Sequence, residues 1–141
     1  MTTLVAHSLA EAGPPSTARR WLARVLGGIA VLFLTMDSLV KLLRLPAALE
    51  GTMQLGYPPS VVFGLGVVTL VFLILYLVPR TAILGAVLWT AYLGGAVASH
   101  VRIGDPLLTH VLAPVYVATF LWLPLWLRDP RLRALLPLRR A

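Results

Sequence analysis

Asp37 and Lys41 stand four residues apart in Phe33-Leu34-Thr35-Met36-Asp37-Ser38-Leu39-Val40-Lys41, a segment that is otherwise largely apolar. Four residues is just over one helical turn, so both side chains share a helix face and can pair. The pair has two readings. In one it is structural and lets the end of an apolar helix be buried; in the other it lines a cavity or a proton path. Arg44 extends the stripe and has a stem long enough to carry its charge out to water. A second cluster is Ser99-His100-Val101-Arg102-Ile103-Gly104-Asp105-Pro106, with His110 shortly after. Asp105 before Pro106 has the pattern of a helix N-cap, with proline at the first helical position. Arg102 has Asp105 and Asp37 as candidate partners. His100 and His110 suit hydrogen bonding between helices, or proton relay or metal binding with Asp37 and Asp105. Asp37, Lys41, His100, Arg102, Asp105 and His110 therefore form the candidate polar site, with no catalytic residue and no metal set assigned.

Other chemistry finds little footing. The chain has no cysteine, which removes disulfides, thiol redox chemistry and cysteine-ligated clusters together. Gly64-Leu65-Gly66 lies inside a hydrophobic run and lacks the strand–turn–helix setting of a phosphate loop. No serine sits in a nucleophile elbow, and no two histidines have the four-residue spacing of a zinc hydrolase. His100 and His110 fall toward one membrane face, which argues against a haem held between them. No cofactor signature is evident.

The elements that position these residues follow from composition. Of 141 residues, 59% are hydrophobic and 12% charged, the latter about half the share of a soluble domain. So small a soluble protein has too much surface to hide that much apolar side chain. A soluble enzyme, a nucleic-acid-binding domain and a disordered chain are all excluded on this ground; an integral membrane protein remains. Four hydrophobic runs, about 21–43, 59–78, 81–99 and 106–127, approach the roughly 20 residues a membrane helix needs. The fold class is all-α: an integral membrane four-helix bundle. Pro59 and Pro106 suit first helical turns, Pro79-Arg80 makes a tight turn between antiparallel neighbours, and Pro114 and Pro124 kink or end the fourth helix. Residues 1–19 form a flexible cytoplasmic tail, 20–129 the four-helix domain and 130–141 a basic cytoplasmic tail. A cleaved signal peptide fits poorly, since Arg19-Arg20-Trp21 comes late and no small-residue cleavage pattern follows.

Orientation comes from the loops. Arg19, Arg20, Arg24, Arg80, Arg128, Arg131, Arg133, Arg139 and Arg140 fall on one side, and Lys41, Arg44 and Arg102 on the other. The bias puts both termini in the cytoplasm. The outer positives are balanced by Asp37, Glu50 and Asp105, so the net charge of +7 lies inside. Trp21, Tyr76, Trp122 and Trp126 sit at the inner boundary as headgroup anchors. Small residues at four-residue spacing, Ala82, Ala86, Thr90, Gly94 and Ala98, with Ala91, Gly95 and Ser99 beside them, mark the third helix as a central packing element.

Several blocks together resemble the DoxX-like family. They are Asp37-Ser38-Leu39-Val40-Lys41-Leu42, Leu55-Gly56-Tyr57-Pro58, Pro79-Arg80-Thr81, Leu84-Gly85-Ala86, the run from Tyr92 to Arg102, Gly104-Asp105-Pro106, and Arg128-Asp129-Pro130-Arg131-Leu132-Arg133. The resemblance covers about 20–140 and implies a small four-helix membrane protein of bacterial type, in the cell membrane. It implies little chemistry, because most such proteins have no assigned activity; a relative linked to thiosulfate:quinone oxidoreduction gives the family its name. Asp37, Lys41, His100, Arg102 and Asp105 are the positions it carries over. The leading expectation is a non-enzymatic or accessory membrane component with a small polar cavity near the outer face. Its partners are the lipid bilayer, a membrane partner protein or a lipophilic small molecule, and not nucleic acid. The alternatives are a subunit of a quinone-linked membrane oxidoreductase, with quinone as its cofactor, and a small transporter.

Overall fold

A computed structural model describes residues 16–135, and among them all regular structure is helical. Helix α1 runs from Thr17 to Leu42, capped where the Ser16 hydroxyl accepts the Arg19 N–H at 3.3 Å. A short helix, α2, spans Pro46–Gln54, and α3 spans Val61–Leu77. Helix α4 covers Ala82–Ile103. A π-helical turn, Leu107–Val111, leads into α5, Ala113–Arg128, and α6 covers Pro130–Leu135. The tail expected over 1–19 lies outside the described residues up to position 15, and α1 begins two residues later. Arg139 and Arg140 also lie outside them.

Three stretches, Thr17–Leu42, Ala82–Ile103 and Leu107–Arg128, are long and apolar enough to cross a membrane. Helix α3 is apolar but has 17 residues, about 25 Å of rise. It is shorter than its hydrophobic run because Pro58-Pro59 turn the chain before it starts, so Pro59 precedes the helix rather than opening it. The outward faces carry Leu32, Phe33 and Met36 of α1, Phe63, Val67 and Ile74 of α3, and Ile83, Leu84 and Val87 of α4, all exposed. In water such a belt would far exceed the apolar patches soluble proteins tolerate. Facing acyl chains, it costs nothing. The protein is membrane-embedded.

Helices α1, α3, α4 and α5 pack in a ring: α1 touches α3 and α5, and α4 touches the same two. No helix is central, which corrects the expectation for α4. Glycines set the closest approaches. A Cβ on Gly85 would overlap the Tyr76 backbone, and one on Gly66 would lie 2.7 Å from the Leu42 nitrogen. Gly94 and Gly95, by contrast, have nothing within 4 Å of such a Cβ. The small-residue rows thus divide. Ala82 and Ala86 pack in the core, while Ala91 and Gly95 leave room for a cavity.

Both described termini lie at one end of the ring and α2 at the other. Toward the terminal end the interior is filled by Leu73, Tyr76, Ala86 and Leu121, with Leu34, Trp89 and Leu93 at mid-height. Tyr76 is buried here, its hydroxyl donating to the Leu121 carbonyl at 2.9 Å, and the Trp122 indole donates to Thr90 at 2.8 Å. Both tie helices together instead of anchoring to headgroups, because each finds its polar partner across the bundle. Trp21 remains exposed, as an anchor should be. Pro114 does not kink a continuous helix. Lacking an N–H for the His110 carbonyl, it starts α5 afresh after the π-helical turn, where Val111 N–H donates to Pro106.

Candidate functional site

Three chain reversals build the α2 end, and each closes in the same way. After α1 the Arg44 N–H donates to Lys41 and the Leu45 N–H to Val40, with Arg44 in the left-handed region at φ 52°. After α2, Gly56 N–H donates to Met53 and Tyr57 N–H to Thr52, with Gly56 at φ 81°. After α4, Gly104 N–H donates to Val101 and Asp105 N–H to His100, with Gly104 at φ 73°. Each is a Schellman motif, which satisfies the last carbonyls of a helix and folds the next residue back along it.

The third motif decides what Asp105 does. Folded back over the last turn of α4, its carboxylate lies 2.5 Å from His100 Nδ1. It does not cap a helix. The turn after it is capped at Pro106 with no side-chain hydrogen bond, so the N-cap expectation is corrected. His100 is thereby held in one orientation, its Nδ1 engaged by the carboxylate. The second motif places Tyr57. Its hydroxyl lies 2.8 Å from Ser99 Oγ, and since Ser99 donates to the Gly95 carbonyl at 2.9 Å, Tyr57 is the donor. Arg102 lies with its guanidinium 5.7 Å from the Tyr57 ring centre and donates to the Leu55 carbonyl. Neither Asp105 nor Asp37 is its partner. The α2–α3 loop claims it, as carbonyls after a helix end still need donors.

Lys41 donates to Asp37 within α1 and stands 5.7 Å from the centre of the Tyr92 ring on α4. A cavity of about 780 Å³ opens beside them, walled by all four ring helices and by α2. Its polar lining is sparse: the Asp37–Lys41 pair, Thr52, Tyr57, Ser99 and His100, among mostly aliphatic and aromatic neighbours. Trp89 forms part of the wall, is 1% exposed, and has an indole N–H with no hydrogen-bond partner. Ser38, buried on α1, likewise has an unpartnered hydroxyl. Buried donors are rarely left unpaired. The volume falls in the range of sites for small organic molecules, about 300–1,000 Å³.

Of the six residues singled out by sequence, Asp37, Lys41 and His100 line this cavity, while Arg102, Asp105 and His110 do not. Asp105 reaches it only through His100. His110 is exposed, its ring centre 5.9 Å from that of His100 and its Nδ1 2.8 Å from Thr109 Oγ1. No hydrogen bond links the Asp37–Lys41 pair to either histidine or to Arg102 among the described residues. No three His, Asp or Glu side chains among the described residues come together as metal ligands. Tyr57, Trp89, Tyr92 and Ser99 were not on the sequence-based set. Gly56 before Tyr57 was the available signal for the first, and Trp89 amid small residues for the second.

Comparison with curated proteins and with solved structures returns no match. The model of the DoxX-like family matches residues 25–123, from the first turns of α1 to the last turns of α5. That stretch holds every residue lining the cavity and most of the chain, and the protein belongs to the DoxX-like family.

Proposed function

We propose that this protein is a non-enzymatic, accessory component of the cell membrane. It crosses the bilayer four times with both termini in the cytoplasm, and its α2-end cavity faces outward and holds a lipophilic small molecule. The single observation carrying this reading is the cavity itself: largely apolar, of ligand size, and walled by a buried tryptophan whose N–H lacks a partner. Apolar walls select an acyl or ring system, while Lys41 and Trp89 offer a few donors to fix a polar end. The nine-to-three arginine and lysine bias in the sequence supports the orientation. An apolar helix of 17 residues spans with flanking residues snorkelling or the bilayer thinning locally.

The test is quenching by a brominated fatty acid in detergent solution, in a variant whose other tryptophans, Trp21, Trp122 and Trp126, are replaced by phenylalanine so that Trp89 alone reports. Trp89 is shielded from the surroundings, so a bromine atom quenches it efficiently only from within the cavity. Gly95→Leu adds bulk where a Cβ meets nothing within 4 Å, so it fills the cavity without disturbing the fold. Binding is expected to weaken about tenfold or more, the effect of losing roughly 1.4 kcal/mol, with the melting temperature kept. Equal quenching in both proteins would overturn the reading.

A second reading, a subunit of a quinone-linked oxidoreductase, has one observation in its favour. His100, oriented by Asp105, contributes to the wall of an apolar cavity, where a ring nitrogen suits proton exchange with a carbonyl-bearing lipophile. A quinone-dependent absorbance change in the purified protein, lost in His100→Gln, distinguishes it from the first.

A further inference from the structure

At the end of the ring opposite α2, three arginines share one recess. Arg20 and Arg24 from α1 and Arg128 from the last turn of α5 are the residues lining a volume of about 340 Å³. We infer that this recess binds a phosphate group, supplied by the headgroup of an anionic phospholipid. The site is separate from the α2-end cavity and does not depend on what that cavity holds.

Charge is the first ground. Arg20 and Arg24 are four residues apart on one face of α1, a like-charge spacing that destabilises a helix on its own. They also lie in its first two turns, where the helix dipole is already positive. Among the described residues the ion pairs are Lys41–Asp37 and His100–Asp105, so none of the three arginines has an acidic partner there. The carboxylate next in sequence, Asp129, accepts the Arg131 N–H instead. Three converging cations without a counter-charge among the described residues make a strong anion site.

Geometry is the second ground. Arg128 Nη2 donates to the Ala23 carbonyl at 3.1 Å, and the guanidinium packs over Gly27, whose Cβ would stand 3.4 Å from Nη2. One fork of the guanidinium is thus fixed against α1, leaving its remaining N–H groups for a ligand. Guanidinium forks match phosphate oxygens in pairs of parallel hydrogen bonds, which ammonium groups cannot do. Depth is the third ground. Trp21, 68% exposed and adjacent to Arg20, is the kind of ring that settles at headgroup level. Basic pockets between membrane helices at this level suit anionic headgroups.

The experiment measures retained lipid by native mass spectrometry, and melting temperature, for the full chain in detergent with added phosphatidylglycerol or phosphatidylcholine. Inorganic phosphate alone forms a separate arm. The wild-type protein should retain phosphatidylglycerol preferentially and melt higher with it, since the phosphate of phosphatidylcholine carries its own cation. The R20Q/R24Q variant, changed at two exposed helical positions, should bind it about tenfold more weakly while melting no lower than wild type in phosphatidylcholine. R80Q, which removes a positive charge from the α3–α4 turn at the same end, should bind as wild type. R128K should lose most of the preference despite keeping its charge. A melting shift with inorganic phosphate alone, abolished in R20Q/R24Q, supports the phosphate chemistry and moves its source from lipid to solution. Equal retention of the two lipids with no phosphate effect overturns the site. So does a loss in R80Q as large as in R20Q/R24Q.

Discussion

Lys41 keeps 13% of its side-chain surface exposed and Asp37 28%, so the pair is shielded unequally and the ammonium depends more on its partner. Removing Asp37 strands a cation beside an apolar cavity, whereas removing both leaves a neutral wall. Asp37→Ala should therefore destabilise the protein by about 1–3 kcal/mol. That is below the roughly 3–5 kcal/mol of a fully buried pair, because water still reaches part of this one. The Asp37→Ala, Lys41→Ala double variant should recover much of the loss in thermal melts. A double variant melting below the single one would show that Lys41 stabilises through something besides the pair, such as its position near the Tyr92 ring. At this scale the sequence was informative where interactions are local. The four-residue spacing of Asp37 and Lys41 announces their contact. The partnership of His100 with Asp105 is five residues long and needs Gly104 in the left-handed region, and Pro106 made a helix cap the simpler reading of the same aspartate. Tyr57 and Ser99, 42 residues apart, left no local trace of their hydrogen bond.

Among the elements, α4 does two jobs with one kind of residue. In its first half, Gly85 lets the α3 backbone at Tyr76 come close; in its second half, Gly94 and Gly95 face open space. Periodicity alone cannot separate these roles, since both halves show the same small-residue spacing. Substitution can. Gly85→Ala should destabilise the bundle by several kcal/mol, because its Cβ meets backbone that cannot step aside. Gly94→Ala should be neutral or slightly stabilising, alanine being the better helix former by about 1 kcal/mol. Melting temperatures of the two variants in one detergent test the division, and similar losses would contradict it. The helices themselves were legible from hydrophobic runs, with ends displaced by a few residues. The short α2 was not, because a nine-residue helix of mixed composition has no run to announce it. Yet α2 supplies one wall of the cavity and, through Gly56, the placement of Tyr57.

For the whole molecule, an arrangement with opposite ends emerges from the ring. One end holds an apolar cavity with few polar groups, and the other a filled core and a rim of arginines. Charge in the sequence foreshadowed the asymmetry, since most of the arginines fall at the terminal end, but it said nothing of a cavity. Space is a property of packing, and only the assembled helices define it. The cysteine-free chain makes the central claim, an outward-facing cavity that takes a lipophile, open to a direct measurement. Gly95→Cys introduces the sole thiol, on the cavity wall. Its rate of reaction with a small membrane-impermeant thiol reagent is then read in intact cells and in inverted vesicles, with and without a saturating fatty acid. Labelling is expected from outside the cell, with little from the cytoplasmic face, and a slowing of about tenfold or more when the fatty acid is present. Labelling from the cytoplasmic face, or a rate that the fatty acid leaves unchanged, would contradict that claim.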